Sequence, residues 1–464
     1  MIELKNMDNK FFSQRKNLIG IIIVLFIIVL LIVASYFYHP EDQFNGSCRN
    51  QCSQSGFKEC SDNSYRTCGD YDKDGCLEWN SATDCPQNSD CQNGDCVGKR
   101  CTDGTSYSQC STDKPKYCEN GNLIEKCGIC GCPIKEQCQT GGSCFTETYQ
   151  VPVLNLSYIP VKDGKVDITL TGDWQNTDIA ALRTNIGNLT QQLIKALNKG
   201  SIYHGYKDTS AVPSLNYTIF KDEEFLKPVP SLSPANSPAN HKKILTDFNI
   251  CDYVENKGVK EVWIWMYHTN ITYPVESYLA GPLFSFGNGF MDLPKCAKSY
   301  TVYDYNSGRS VSMALENHTH QIEQVFNYID GRDAAPHKDW GNLLFWGKFV
   351  GSDWSHKIIA PGCGWIHYPP NGESDYDWNN QKEVLSDCED WKPDGTGQKK
   401  MISCHTWGGS NCQSDEGYSF KIWWMQNIPG RGNSLFYNGK QLRNWWDFIG
   451  NFDRAMQVGK SLTY

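Results

Sequence analysis

Sixteen of the chain's 22 cysteines fall between Cys48 and Cys144, directly behind an uncharged apolar run of 21 residues, Leu18–Tyr38. A run of that length can cross a bilayer as a helix, for which about 20 residues suffice. A dense, even set of cysteines after it points to an oxidising compartment and a disulfide framework. Lys5, Lys10, Arg15 and Lys16 precede the run, against Glu3 and Asp8. The positive-inside rule then places residues 1–17 in the cytoplasm. A cleaved signal peptide would carry a shorter apolar core, about 7–15 residues, ending in small residues. Val33-Ala34-Ser35 matches that ending weakly, and the run is too long and too rich in Ile and Leu. The expectation is a single-pass cell-membrane anchor over 18–38 with the bulk of the protein extracellular. Asn-x-Ser/Thr triplets at Asn155, Asn188, Asn216, Asn270 and Asn317 suit such a placement.

The cysteine-rich stretch divides into two modules, 46–97 and 98–146, each with eight cysteines and each with a Cys-Pro near its end, at Cys85-Pro86 and Cys132-Pro133. Modules this small bury too little apolar surface to fold without cross-links. Connectivity is not readable from the spacing. Cys127-x-x-Cys130-x-Cys132 has part of a zinc spacing, but disulfides outcompete zinc thiolates outside the cell. Asp70-x-Asp72-x-Asp74-Gly75 resembles the front of a calcium loop. Ser81 stands where such a loop needs Glu, so an acidic turn is the simpler reading. Tyr65-Arg66-Thr67-Cys68-Gly69 and Lys114-Pro115-Lys116-Tyr117-Cys118 resemble cysteine-rich modules of archaeal and some bacterial surface proteins, which implies a stalk or spacer.

The net charge of −9 is spread along the chain, with no basic patch, so no nucleic-acid partner is expected. The expected partners are the membrane, through the N-terminal helix, and an extracellular glycan or protein.

Residues 148–464 read as one extracellular α/β domain with a largely parallel sheet. Strands are expected at Val151–Tyr158, Asn216–Phe220, Val262–Tyr267 and Thr301–Tyr305. Helices are expected at Asp178–Asn198, Ile244–Glu255 and Arg309–Tyr328. Alternation of this kind argues for parallel pairing. The Gly- and Trp-rich C-terminal part is expected to be loop-rich, with short strands such as Phe420–Trp424. Trp263, Trp265, Trp423, Trp424, Trp445 and Trp446 can stack sugars, although core packing is the commoner use of such residues.

Ligands of parallel α/β sheets sit beyond the carboxyl ends of strands. Glu276 follows one such strand. After another comes a helix with Glu316, His320 and Glu323 at i, i+4 and i+7, hence on one face. A histidine with two carboxylates on one helical face suits metal ligation or proton transfer. A solvated helix face would look the same. His318 lies off that stripe. Gly362-Cys363-Gly364-Trp365-Ile366-His367-Tyr368-Pro369-Pro370-Asn371 places His367 in a rigid loop. Asn371, Glu373, Asp375 and Asp377 beyond it alternate as a calcium loop would. Gly-x-Ser-x-Gly, His-Glu-x-x-His and phosphate-loop signatures do not occur.

Gly258-Val259-Lys260-Glu261-Val262-Trp263-Ile264-Trp265, Glu276-Ser277, His320-Gln321-Ile322-Glu323, Leu343-Leu344-Phe345-Trp346-Gly347-Lys348-Phe349, and His367-Tyr368-Pro369-Pro370-Asn371 with Asp375-Tyr376-Asp377-Trp378 together resemble a family of secreted or cell-surface domains in archaea, bacteria and some fungi. The resemblance implies Glu276, His320, Glu323 and His367 as the polar positions that matter, and implies no reaction.

Two functions follow as expectations. One is a hydrolase of glycan or peptide polymers, with Glu276, His320, Glu323 and His367 catalytic. A divalent metal such as zinc would be held by His320, His367 and Glu323, with Glu316 as a further candidate; otherwise Glu276 and Glu323 would form an acid/base pair. Calcium would fall at Asp375 and Asp377, and more weakly at Asp70, Asp72 and Asp74. The other is a non-catalytic adhesion or glycan-binding protein with an exposed aromatic contact surface.

Overall fold

A computed structural model describes residues 48–464 except 134–135, 139–141, 146–147, 173–177, 283, 333–344, 353–361 and 413. All 22 cysteines are paired in eleven disulfides, so the protein is disulfide-rich. The chain forms two compact units, residues up to Gly98 and Lys99–Tyr464.

In the first unit, disulfides Cys48–Cys76, Cys52–Cys68, Cys60–Cys91 and Cys85–Cys96 staple short antiparallel strands. The Asp70–Asp74 carboxylates are spent within their own turn. Asp70 accepts from the Gly75 amide at 3.2 Å, Asp72 from Asp74 at 3.1 Å and Asp74 from Cys76 at 2.8 Å.

The second unit begins with the second cysteine module, closed by Cys101–Cys118, Cys110–Cys130, Cys127–Cys138 and Cys132–Cys144. This module is docked on the C-terminal residues of the same unit. A side chain at Gly128 would meet Tyr464 at 2.8 Å, and the Tyr464 hydroxyl donates to the Cys138 carbonyl.

The rest of the unit is built on a six-stranded sheet. In chain order its elements are β1 (Tyr149–Tyr158), α1 (Ile179–Gly200), β2 (Leu215–Phe225), α2 (His241–Asp247), α3 (Ile250–Glu255), β3 (Glu261–Met266), β4 (Ser277–Ala280), β5 (Ser285–Phe286), β6 (Tyr300–Asn306), α4 (Val311–Asp330), α5 (Phe345–Val350) and α6 (Tyr418–Asn427). The sheet order is β2-β1-β3-β6-β4-β5. Asp178 caps α1 by accepting from the Ala181 amide at 2.9 Å, and Leu182, Ile186, Leu189, Leu193 and Leu197 form its buried stripe. Helix α1 packs on β2, α4 packs on β6 and β4, and both touch α6.

Three expectations are corrected here. The sheet is mixed rather than largely parallel: β2, β1, β3 and β6 pair in parallel, but β4 runs antiparallel to β6 and β5 antiparallel to β4. The link from β3 to β4 contains no helix, and a parallel crossover needs a dozen or more residues, so β4 returns antiparallel. The small sheets elsewhere are mostly antiparallel hairpins. The membrane-anchored placement is not supported: among the described residues no helix is long and apolar enough to cross a membrane, and the expected span, 18–38, lies outside them. Finally, Phe420–Trp424 is helical, within α6, not a strand. Every α6 residue from Phe420 to Asn427 is buried, and an apolar run buried all round has no periodicity to separate helix from strand.

The six tryptophans that can stack sugars are all core residues, each at most 4 % exposed. The Asn155 triplet is internal too. Its side chain donates to Asp222 at 2.9 Å and accepts from Trp265 at 3.0 Å, so it is closed to modification.

At the start of β3, Glu261 is buried and accepts from Trp263 Nε1 at 2.8 Å and the Tyr217 hydroxyl at 3.3 Å. Burial pushes its carboxyl up to about 8 in spite of those two donors. The folded state therefore holds a proton that the unfolded chain releases above its ordinary 4.5. Stability is fully present below that value and falls as pH rises toward 8, by an amount on the order of a few kcal/mol. Glu261→Gln keeps an acceptor and the volume, and is expected to flatten this fall. Urea unfolding at about pH 5 and about pH 8.5 reads the difference, and an unchanged pH slope in the variant would rule Glu261 out as its source.

Candidate metal centre

Helix α4 starts immediately beyond β6, which places its second and third turns over the carboxyl end of the sheet. Glu316, His320 and Glu323 lie on its buried face, and the His320 and Glu316 side chains are 8 % and 7 % exposed. His367 arrives from a separate loop. The Cys363–Cys388 disulfide anchors that loop, and the Cys363 and Gly364 amides donate to Phe349 and Val350 carbonyls at 2.7 and 3.0 Å. Gly364 has φ +72°, and a Cβ there would lie 2.3 Å from the Tyr368 carbonyl, so only glycine fits the turn. Trp378 Nε1 donates to the Ile366 carbonyl at 2.8 Å, fixing the backbone beside His367.

The two elements bring three donor atoms together. His320 Nε2 and His367 Nε2 are 3.0 Å apart. Glu316 Oε1 is 3.3 Å from His367 Nε2 and 3.9 Å from His320 Nε2. A tetrahedral ion with bonds of about 2.0–2.1 Å needs ligand atoms about 3.3 Å apart, and the observed separations bracket that spacing. Each imidazole is backed by a carboxylate on its other nitrogen: Glu323 Oε2 lies 3.3 Å from His320 Nδ1, and Asp375 Oδ1 lies 3.7 Å from His367 Nδ1. The Glu323 hydrogen bond selects the His320 tautomer that leaves Nε2 free for an ion, while Asp375 stands beyond hydrogen-bond reach of His367.

Several groups of described residues are close enough to hold a metal. Cys127–Cys132–Cys144 and Cys404–His405–Cys412 rely on disulfide-bonded cysteines, which cannot act as thiolate ligands. Glu316, His320 and His367 form a group whose donors are not covalently committed.

The electrostatics of the cluster are asymmetric. Burial works to raise the Glu316 carboxyl, but the His367 hydrogen bond and the Lys421 charge outweigh it and hold the group at about 2. Burial works to lower His320, but Glu323, Glu276 and Glu316 together raise it. Glu276 is raised by burial, partly offset by His320 and by a hydrogen bond from Asn288. The Glu276 backbone is pinned from behind. The Asp304 amide donates to the Glu276 carbonyl at 3.0 Å, and Asp304 Oδ2 accepts from the Val275 amide at 3.0 Å and from His241 Nε2 at 2.7 Å.

The structure thus gathers Glu316, His320 and His367 around one point, with Glu276 in electrostatic reach. It places Glu323 behind His320, where its other oxygen accepts from the Ile366 amide at 3.0 Å, and so makes it a positioning group. Asp375 backs His367. Asp377 braces its own loop through the Glu373 amide at 2.9 Å and Asn380 Nδ2 at 2.7 Å. His318 packs on Tyr303 and bonds the Tyr305 hydroxyl at 2.6 Å, inside the core.

Two participants escape a reading of the sequence. Lys421 of α6 is wholly buried. Its ammonium donates to Glu316 Oε2 at 2.7 Å, to Ser312 and to the Glu416 carbonyl, and lies 4.5 Å from the Trp378 ring centre. Its one signal is a lysine alone in an aromatic run. The Tyr376 ring sits 4.2 Å from that of His367 while half of the residue remains exposed.

A cleft of about 210 Å³ opens beside the cluster at the carboxyl ends of β3 and β6, walled by His268, Glu276, Asp304, Asn306, Arg309 and Glu316, among others. No protein-family profile, no curated protein and no solved structure matches the chain, so the functional reading rests on this geometry alone.

Proposed function

We propose that this protein is a metal-dependent hydrolase that works in an oxidising, extracellular setting on a glycan or peptide polymer. The observation that carries the proposal is the convergence of Glu316 Oε1, His320 Nε2 and His367 Nε2, with a carboxylate behind each imidazole. Two histidines and one carboxylate suit zinc, and leave a coordination position for water. A bound divalent ion would supply Lewis acidity and a nucleophile at neutral pH. Glu276 is the general base: it walls the cleft beside the cluster, and burial raises its carboxyl, the direction that favours return of the proton to the leaving group. Lys421 keeps Glu316 ionised, which a ligand must be. A carboxylate-pair mechanism has less support, since both oxygens of Glu323 are engaged. The adhesion alternative draws less support, because the clustered tryptophans are core residues.

Metal analysis of the purified full-length protein, followed by a panel of chromogenic amides, esters and glycosides, is the test. Near-stoichiometric zinc or a similar ion is expected, with hydrolysis that a chelator removes and zinc restores. A well-folded protein that takes up no transition metal sinks the proposal.

A further inference from the structure

The cleft beside the cluster is unevenly satisfied. Each of its acids has at least one partner: Glu276 has Asn288, Asp304 Oδ2 has His241 at 2.7 Å while its Oδ1 has none, and Glu316 has Lys421 at 2.7 Å. Its two basic side chains have no such partner. Among the described residues, neither His268 nor Arg309 makes a side-chain hydrogen bond or ion pair, although both wall the cleft and both are exposed. Arg309 forms no ion pair with any of the three carboxylates that share its cleft. Its backbone is fixed, with its amide donating to the Asn306 carbonyl at 3.1 Å, in the turn that joins β6 to α4. Of the charged side chains that wall the cleft, the Arg309 guanidinium is the one with no hydrogen-bond or ion-pair partner among the described residues.

We propose that this cleft is the substrate subsite of the metal centre, and that Arg309, assisted by His268, receives an oxyanion group of the substrate: a carboxylate, sulfate or phosphate. The inference deepens the hydrolase reading and rests on it. The guanidinium is a permanently charged planar fork whose paired N–H groups match the two oxygens of such a group. Glu276 and Glu316 belong both to the cleft wall and to the cluster, so a ligand seated here lies next to the reacting position. At about 30 Å³ per water the cleft holds roughly seven waters, the space of one residue-sized group. The net charge of −9 offers an anion no long-range attraction, so the selection is local. The substrate is accordingly acidic, with its anionic group within about one residue of the bond that is cut.

The test is calorimetric titration of the full-length protein, chelator-treated and zinc-loaded in parallel. The probes are N-acetylglycine, methyl sulfate, methyl phosphate and, as the neutral control, N-acetylglycinamide. At least one oxyanion is expected to bind and the amide is not; which anion binds identifies the source of the group. Arg309→Ala is expected to weaken that binding about tenfold to hundredfold, with Arg309→Lys intermediate. Anions that bind no better than the amide, or that bind Arg309→Ala unchanged, overturn the inference. Zinc uptake is measured on the same samples. Arg309-dependent anion binding without zinc uptake therefore means that the hydrolase reading has failed and the anion subsite stands.

Discussion

His367→Ala is expected to cost the protein its metal. The variant removes one of three converging donors and one of the contacts between the loop and α4, His367 Nε2 to Glu316 Oε1 at 3.3 Å. Loss of a supporting residue behind a ligand typically weakens a site about 10- to 100-fold, so loss of the ligand itself should weaken it by at least about 100-fold. Asp375→Asn supplies the graded comparison. Asp375 Oδ1 lies 3.7 Å from His367 Nδ1 and more than half of its side chain is exposed, so a drop of only about tenfold is expected. Competition against a chromophoric chelator measures both, with circular dichroism to confirm folding. Equal zinc retention by His367→Ala and the parent would remove His367 from the site. The cluster would then be a structural histidine pair.

Lys421→Met should be the most destabilising single change near the site. The lysine ammonium is fully buried and supports Glu316, and burial alone lowers its pKa, an effect that Glu316, Glu416 and Asp415 counter. Breaking a buried ion pair from one side costs about 3–5 kcal/mol, because the remaining charge loses its partner. Adding Glu316→Gln removes that orphaned charge and should recover a large part of the loss. The pair also sets a pH direction in the metal-free protein. Glu316 is held at about 2 against an ordinary 4.5. Its contribution is thus present above about 4.5 and lost as pH falls toward 2. Lys421→Met should move that loss to higher pH. Denaturant unfolding at neutral and acid pH reads both effects, and a cost below about 1 kcal/mol would mean that the pair is neutral in the fold.

The helical face that carries Glu316, His320 and Glu323 is legible because a period of 3.6 residues is local and α4 obeys it. The roles along that face are not legible. Glu316 and Glu323 are equivalent by spacing; the His367 loop separates them, since Glu316 faces His367 Nε2 and Glu323 faces the Ile366 amide. The long strands and helices of the sheet are visible for the same local reason. The hairpin β4–β5 is not, because its strands are short and their direction depends on which neighbour they find. The αL turn at Asn249, φ 50°, splits one expected helix into α2 and α3, a break that periodicity alone does not announce.

The amino-acid sequence by itself determined the disulfide-rich character, the two cysteine modules, the amphipathic faces of α1 and α4, and the residue types from which a metal centre can be made. All of these are written in composition or in short-range spacing. The tertiary structure decided which residues meet. It chose the disulfide partners, turned β4 against β6, buried the tryptophans, and carried Lys421 and His367 to Glu316 across separations of 105 and 51 residues. Contacts so distant in the chain depend on how whole elements pack, and no local pattern encodes that packing.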